Sequence, residues 1–404
     1  MEFQRSTRID HRARAHLPEP APLTVQRTHV GGRSAVPRVA LTIVALAVCA
    51  GTTAGLPIGA AASGPSVDEW GRPVAAGGPG NLPTLTQSSS GLATIDAGNY
   101  ADVLVLSNGS VWGWGVTSMT LTQVPGVTNV VQRPVDGNGS FTAIEQPGTD
   151  PSCPLSSTVV HWGRNHAPSV VTQLNCLNVV QVAEAATHTF ALTSNGSVYV
   201  WGGQGPALGM NPAVKSEKIP TLNPALTALT GGSSAGVVLT TGMTSGGILV
   251  NGLAWSWGDN QYGQCGCGST AAVVTSPTPV DQGVTRYTSI DQGGNLTSDG
   301  HELAIDTTGD VWAWGDNARG QLGIGTEVNS NVPVAVVGLP ADIVDVRAGG
   351  MHSLALDSEG NVWAWGANQY GQVGNGTTLD ALLPDEVLSG VSQISAGSFH
   401  SIAA

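Results

Sequence analysis

Four histidines recur at one place in a repeated pattern, and histidine is the side chain best suited to bind a metal or transfer protons near neutral pH. The first three lie 13 residues before the tryptophan of a Trp-Gly pair, and Tyr100 and Ser234 are predicted to replace the histidine in two further copies. Metal ligands must converge within about 2 Å of the ion. One histidine per repeat, spread around a ring, does not converge, so we predict hydrogen bonds within each repeat and no metal site. The histidines are His188, His301, His352 and His400.

The sequence contains no motif for zinc-dependent or phosphate-transfer catalysis. It has no His-Glu-x-x-His pair and no phosphate-binding loop with lysine. Lysine occurs only at Lys215 and Lys218. The Gly-x-Gly fragments follow Trp-Gly pairs and are typical of turns. We therefore predict no catalytic residue and no cofactor.

Four cysteines lie outside the N-terminal region and form two pairs with different expectations. Cys265 and Cys267 stand in Gly-Gln-Cys-Gly-Cys-Gly where the next repeat has Gly-Gln-Leu-Gly-Ile-Gly, which favours two small buried side chains and leaves open whether they are bonded. Cys153 and Cys176 are centred on a predicted hairpin turn near Arg164. They would face each other at the open end of the hairpin, and we predict a disulfide between them. The predicted hairpin strands are Thr158–Gly163 and Ser169–Gln173.

The elements that must position these residues are repeats marked by Trp-Gly. The alternating runs His301–Asp306 and Val311–Gly315, separated by a Gly-bearing turn, predict a β-hairpin. The seven Trp-Gly pairs lie on average about 49 residues apart, a period typical of propeller blades. Their tryptophans are Trp70, Trp114, Trp162, Trp201, Trp257, Trp314 and Trp365.

The repeated tryptophans are predicted to be structural. Within Val311–Gly315 the two tryptophans share one face of the strand, whereas Val311 and Ala313 share the other. Stacked blades would then pack a bulky face against a small one without voids, and the glycine after each tryptophan would allow close backbone approach. Sugar stacking and light sensing are the alternatives for clustered tryptophans.

The two halves of the repeat are out of phase at the chain ends. The first half of each repeat is a Val/Ile-rich run followed by a hairpin strand, and the second half is the Trp-Gly strand. The final copy of the first half, Val391–Ala404, has no Trp-Gly strand after it. The earliest Trp-Gly strand, Val67–Gly71, has no first half before it. We therefore predict an all-β, seven-bladed β-propeller whose last blade combines both termini. Insertions are predicted at Gln146–Leu155 and Thr240–Gly247. The first halves are predicted to begin near Ile95, Val130, Val179, Leu226, Tyr287, Ile343 and Val391.

This pattern resembles the regulator of chromosome condensation (RCC1) repeat family of seven-bladed β-propellers. The resemblance rests on three motifs and their copies, and it covers roughly residues 64–404. It is strongest in the last three blades and weakest in the first three. Loops that diverge from the repeat are where binding surfaces are more often found. The motifs are Ala348–Leu356, Val362–Asn368 and Gly371–Gly376.

The N-terminal segment has the layout of a secretory signal peptide. Residues 1–38 contain seven arginines, Val39–Ala50 is a short apolar run, and small residues lead to Ala62. The apolar run is shorter than the ~20 residues that span a bilayer. We predict a signal peptide or unstructured segment at 1–62 and a propeller at 63–404 that is secreted without a membrane span. A membrane anchor formed by the apolar run is the alternative.

The charge of residues 63–404 argues against nucleic-acid binding and guanine-nucleotide exchange. They contain 8 Lys and Arg against 25 Asp and Glu, a net charge of −17. Nucleic-acid binding requires cationic side chains, so we expect no nucleic-acid partner and no guanine-nucleotide exchange. The sequence predicts a monomeric binding module for an unidentified protein or glycan rather than an enzyme. The alternative is a propeller lyase or hydrolase with its site at one mouth of the channel.

Overall fold

The described residues form seven four-stranded antiparallel sheets. In blades 1 to 6, four consecutive strands run from the inner edge to the outer edge of one sheet. The computed structural model describes residues 40–42, 66–71, 91–99, 101–115, 118–137, 139–146, 153, 156–163, 166–203, 205–210, 216–294 and 300–404. Within these residues no helix is long and apolar enough to cross a membrane.

The strands are numbered in chain order. Blade 1 contains β3 (Leu92–Ala97), β4 (Ala101–Leu106), β5 (Val111–Gly115) and β6 (Ser118–Gln123), and blade 2 contains β7 (Val135–Asp136), β8 (Ser140–Glu145), β9 (Thr158–Gly163) and β10 (His166–Val170). Blade 3 contains β11 (Val179–Glu184), β12 (His188–Thr193), β13 (Val198–Gly203) and β14 (Ser216–Leu222), and blade 4 contains β15 (Val237–Thr241), β16 (Ser245–Val250), β17 (Leu253–Asp259) and β18 (Val273–Pro279). Blade 5 contains β19 (Tyr287–Gln292), β20 (His301–Asp306), β21 (Val311–Gly315) and β22 (Ser330–Ala335), and blade 6 contains β23 (Ile343–Ala348), β24 (His352–Asp357), β25 (Val362–Gly366) and β26 (Ala381–Leu388). Blade 7 contains β27 (Ile394–Ala396), β28 (His400–Ala403), β2 (Ser66–Gly71) and β1 (Ala40–Thr42). The short helices are α1 (Pro224–Thr230) and the 3₁₀ turns Thr172–Leu174 and Val280–Gly283.

The predicted closure of the ring by both chain ends is confirmed. β2 pairs with β28 in antiparallel register, with Trp70 opposite Ser401. β1 then pairs with the free edge of β2. β1 lies inside the apolar run that was predicted to belong to a signal peptide. Cleavage at residue 62 would therefore leave β2 as the outer strand of blade 7. The rest of that segment lies outside the described residues, and the boundary at 62 stays a prediction.

The hydrophobic core consists of seven clusters, one between each pair of adjacent blades. Between blades 5 and 6, Val311 and Ala313 pack with Trp365, which is fully buried. The opposite face of blade 5 places Trp314 against blade 4. The predicted packing of a bulky face against a small one is therefore confirmed. Gly315 has a φ of +100°, and a Cβ there would lie 3.0 Å from the Gly300 carbonyl oxygen, so the close approach requires glycine.

Blade 4 differs from the sequence-based prediction. Its first strand is β15, beginning at Val237, whereas Leu226 lies in α1. The segment predicted as an insertion, Thr240–Gly247, instead contains the end of β15 and the start of β16. Ser245, opposite Gly258, therefore holds the histidine position that was assigned to Ser234.

Blade 1 departs from the prediction at the corresponding position. Ala101 pairs with Gly115 there, and Tyr100 lies outside the described residues. In blade 2, β8 and β9 flank the predicted Gln146–Leu155 insertion, most of which also lies outside them.

Both cysteine pairs are bonded in the structure. Cys153 and Cys176 form a disulfide with their Cα atoms 5.3 Å apart, as predicted. The hairpin pairs β9 with β10, which begins at His166, three residues earlier than predicted. Cys265 and Cys267, for which the sequence left a bond open, are also joined, with Cα atoms 5.2 Å apart.

Candidate binding surfaces: the central channel and the cleft between blades 1 and 2

The inner strands of the blades surround a polar central channel that encloses a cavity of about 330 Å³. Glutamine side chains link blade 2 to the inner strand of blade 3, and the inner strand of blade 3 to that of blade 4. Gln132 accepts from the backbone N–H of Val182 and donates to the carbonyl of the same residue, at 3.3 and 3.2 Å. Gln181 makes the same pair of bonds with Leu239, both at 3.1 Å. These bonds satisfy strand edges that face the channel and fix the spacing of its wall.

Arginines and carboxylates line the channel cavity, and most of them are paired. Arg133 Nε lies 3.1 Å from Asp96 Oδ1, and Arg347 Nη1 lies 2.6 Å from Asp345 Oδ1. Asp291 Oδ2 accepts the backbone N–H of Ala348 at 2.8 Å. The carboxylates are thus held by arginines or by the backbone of a neighbouring blade.

Burial changes the ionisation of this charged group. It raises the pKa of Asp96 to about 6, although Arg133 beside it acts in the opposite direction. Burial also raises the pKa values of Asp291 and Asp345. Sequence reasoning missed these residues. Their only signal was the appearance of acidic and basic residues within otherwise apolar inner strands, as in Ile343–Ala348.

The ends of two inner strands, at one mouth of the channel, carry further carboxylates. Asp136 accepts the backbone N–H groups of Asn99 and Gly139, both at 3.0 Å. Glu184 accepts from Ser140 Oγ at 2.8 Å. Asp136 and Glu184 belong to adjacent blades and both line the cavity. This mouth therefore presents fixed negative charge.

The repeated histidines connect neighbouring blades, so the prediction of bonds within each blade was wrong. His301 Nε2 lies 2.7 Å from Ser353 Oγ in the next blade, and burial lowers its pKa to about 3. Burial also lowers the pKa of His188 to about 4 and that of His352 to about 3. These three rings are neutral spacers between blades. The remaining bonds are His188 Nε2 to the Ser245 carbonyl at 3.1 Å, His352 Nε2 to Ser401 Oγ at 2.9 Å, and His400 Nε2 to Asp102 Oδ1 at 2.9 Å.

Most repeat tryptophans are covered by a loop from the preceding blade. Trp365 Nε1 donates to the Gln321 carbonyl at 2.8 Å. Leu322, from the same loop, belongs to the cluster that surrounds the ring, and a Cβ on Gly323 would lie 2.8 Å from Nε1. This loop has room because β21 ends at Gly315 and β22 begins only at Ser330. The indoles of Trp257 and Trp314 donate in the same way to the carbonyls of Ala207 and Gln264.

The corresponding place between blades 1 and 2 is an open apolar cleft. In blade 1, β5 ends at Gly115 and β6 begins at Ser118, so no loop can reach Trp162. The space forms a cavity of about 400 Å³ lined mainly by apolar side chains and Trp162, with Asp102, Thr122 and Gln123 among its polar lining. Phe141 stacks on Trp162 with ring centroids 5.8 Å apart. Further lining residues of this cleft are Val103, Val124, Pro125, His166, Ala167 and Pro168.

Sequence comparison identifies repeats of one family in the second half of the chain. The model of the regulator of chromosome condensation (RCC1) repeat matches residues 251–298, 308–356 and 359–404. The human E3 ubiquitin-protein ligase HERC2 is 32% identical over 258 residues, covering 60% of this chain and 5% of HERC2. The ultraviolet-B receptor UVR8 of Arabidopsis thaliana is 32% identical over 236 residues, covering 55% of this chain and 50% of UVR8. The chain therefore spans half or less of the length of these relatives.

Solved structures share the architecture at low sequence identity. Human WBSCR16 has a TM-score of 0.65 at 20% identity and covers 78% of this chain and 87% of its own. Prp20p from Saccharomyces cerevisiae has a TM-score of 0.66 at 19% identity and covers 83% of this chain and 90% of its own. The structural likeness concerns the fold alone. The matched repeats show that residues 251–404 of this chain carry repeats of the RCC1 family.

Proposed function

We propose that the protein is a secreted binding module that recognises another protein through the cleft between blades 1 and 2. The cleft carries this proposal, because it is an apolar pocket with an aromatic floor, the kind of site in which interface anchors are buried. Proteins of the same fold bind other proteins: Prp20p binds Gsp1p and histones, and Kap60 binds Prp20.

The other interfaces between adjacent blades, called seams below, indicate which kind of side chain the cleft would accept. At three other interfaces, a side chain of the preceding blade fills the space that is open in the cleft. These side chains are Leu208 between blades 3 and 4, Leu322 between blades 5 and 6, and Val373 between blades 6 and 7, each fully buried. Each of these side chains sits on a Gly-rich turn of the preceding blade. We therefore infer that the partner presents an aliphatic side chain on a turn. The net charge of −17 on residues 63–404 favours a partner with a basic surface.

The test is capture of partners from culture supernatant with residues 63–404 and two matched variants. Ala167→Trp places a bulky ring at the exposed rim of the cleft and is expected to abolish capture. Ser169→Trp, on the same exposed strand but outside the cleft lining, is expected to preserve it. Equal capture by both variants would exclude the cleft. N-terminal sequencing of the exported chain tests secretion, with cleavage expected near Ala62.

A second candidate function is catalysis in the channel. The observation that favours it is the buried charged group, in which Asp96 has a pKa of about 6 and therefore titrates near neutral pH. Its carboxylates are already paired with arginines and backbone N–H groups, which suits a structural role equally well. Hydrolase or lyase activity that is lost in Asp96→Asn but kept in Ala167→Trp would favour the enzyme over the binding module.

A further inference from the structure

Three side chains with metal-ligating atoms meet at the seam between blade 7 and blade 1. One ligand atom from each of Glu69, Asp102 and His400 lies within 4.8 Å of the other two. Asp102 and His400 are fully buried, and Glu69 is partly buried. The three residues come from β2, β4 and β28, so the group exists only because both ends of the chain close the ring.

The same three structural positions are occupied differently in the neighbouring seams. His400 lies opposite Gly71 in its sheet, as His352 lies opposite Gly366. Between blades 6 and 7 the equivalent group is Ala364, His352 and Ser401, and between blades 5 and 6 it is Ala313, His301 and Ser353. A neutral histidine–serine hydrogen bond is sufficient in both of those seams. Packing of the blades therefore does not require Glu69 and Asp102 to be acidic.

An unpartnered atom points to a ligand at the seam. Asp102 Oδ1 accepts the backbone N–H of Gly98 at 3.1 Å and lies 2.9 Å from His400 Nε2. Asp102 Oδ2 is buried and has no hydrogen-bond partner. A buried carboxylate oxygen left without a partner is costly. Two carboxylates and one imidazole would neutralise a divalent cation, and this donor set suits zinc.

We propose that Glu69, Asp102 and His400 bind a divalent transition-metal ion, and that this ion links blade 7 to blade 1 where the two chain ends close the propeller. Zn²⁺ is the probe for this site. Its ligands would join strands from both ends of the chain within one site. An ion that binds the folded chain and not the unfolded one stabilises the fold by mass action. The expected consequence is a closed ring that is harder to open when zinc is present.

The test is a calorimetric titration of the metal-free protein with ZnCl₂, with thermal unfolding measured in parallel. The wild type is expected to bind one ion per chain and to unfold at a higher temperature with zinc. Asp102→Asn and Glu69→Gln keep the size of each side chain and are expected to weaken binding at least about tenfold. Ser353→Ala alters the position equivalent to Asp102 between blades 5 and 6 and is expected to bind as the wild type does.

Two outcomes would overturn the proposal. The first is a wild-type protein without stoichiometric zinc binding, or with binding that both carboxylate variants retain. The second is loss of binding in His166→Ala with retention in Glu69→Gln, because His161 and His166 stack 4.8 Å apart and offer a competing site. Circular dichroism of every variant identifies misfolded chains. Glu69→Gln, at a partly exposed position, keeps the test decisive if Asp102→Asn fails to fold.

Discussion

At the scale of single residues, this propeller keeps several ionisable groups buried between its blades, and burial decides their charge states. His301 is neutral because burial lowers its pKa to about 3, and its partner is the uncharged hydroxyl of Ser353. At the position equivalent to Ser353, blade 5 has Glu302, which is also buried and faces blade 4. Its Oε1 accepts from Ser256 Oγ at 3.1 Å and from the side-chain amide of Gln292. Burial raises the pKa of Glu302 to about 8, despite those hydrogen bonds.

Glu302 predicts a specific dependence of stability on pH. Between the ordinary carboxyl pKa of 4.5 and the native value of about 8, the native chain holds a proton that the unfolded chain has lost. The free energy of unfolding should therefore fall as the pH rises through this window. Glu302→Gln removes the titration and keeps both acceptor contacts, so it should be more stable than the wild type at pH 8 by about 1–4 kcal/mol.

Urea unfolding at pH 5 and pH 8 measures this effect. Glu359→Gln, an exposed residue in a turn of blade 6, is the control and should leave the pH dependence of the wild type unchanged. If the wild type and Glu302→Gln lose equal stability between the two pH values, Glu302 is not the source.

At the scale of elements, the repeat predicted strand positions correctly where a blade keeps the full pattern. It predicted them wrongly where packing against a neighbour requires other residues. Blades 5 to 7 were placed correctly because their strands repeat almost residue for residue. Blade 4 was misread because Gly246 and Gly247 look like a loop. The structure requires both glycines in β16, since a Cβ on Gly246 would lie 2.6 Å from the Trp257 ring and one on Gly247 would lie 2.7 Å from Thr240 Cγ2.

Contacts between blades could not be predicted from the same pattern. Asp96 and Arg133 form an ion pair although they belong to different blades, and nothing in either strand alone identifies the other as its partner. The cleft was not predicted from the sequence either, although the short connection between Gly115 and Ser118 was a usable signal. A blade that lacks its outer loop leaves an open space beside the tryptophan of the next blade.

The disulfide of blade 2 is predicted to stabilise the folded chain. It links residues 23 positions apart, and closing a loop of that size stabilises by about 3 kcal/mol in the chain-entropy model. The double substitution Cys153→Ala and Cys176→Ala should therefore lower the free energy of unfolding by about that amount. Substituting Cys265 and Cys267 in the same way is the matched control. Their bond spans a separation of only 2 residues, so its loss should matter much less. Equal losses in the two double variants would contradict the loop-closure explanation.

At the scale of the whole molecule, stability depends on a ring whose last blade is assembled from both ends of the chain. Val67 of β2 and Ile402 of β28 share a core cluster with Ile95 and Leu104 of blade 1. Polar bonds cross the same seam. Ala97 N–H donates to Ser395 Oγ at 2.9 Å, and the Gln393 side chain donates to the Ala93 carbonyl at 2.9 Å. Each interface depends on its neighbours, so losing one strand at the seam exposes two cores.

Two truncations separate the closing strand from the segment before it. A chain of residues 63–404 keeps β2 and should unfold in one cooperative transition. A chain of residues 81–404 lacks β2, leaves β28 as an edge strand, and uncovers the apolar surface that Val67 now buries. It should lose cooperative unfolding and expose apolar surface to a fluorescent dye, because the ring is open at blade 7. Calorimetry of both chains measures the difference. A shorter chain that melts with the same midpoint and enthalpy as the longer one would show that β2 does not hold the ring closed.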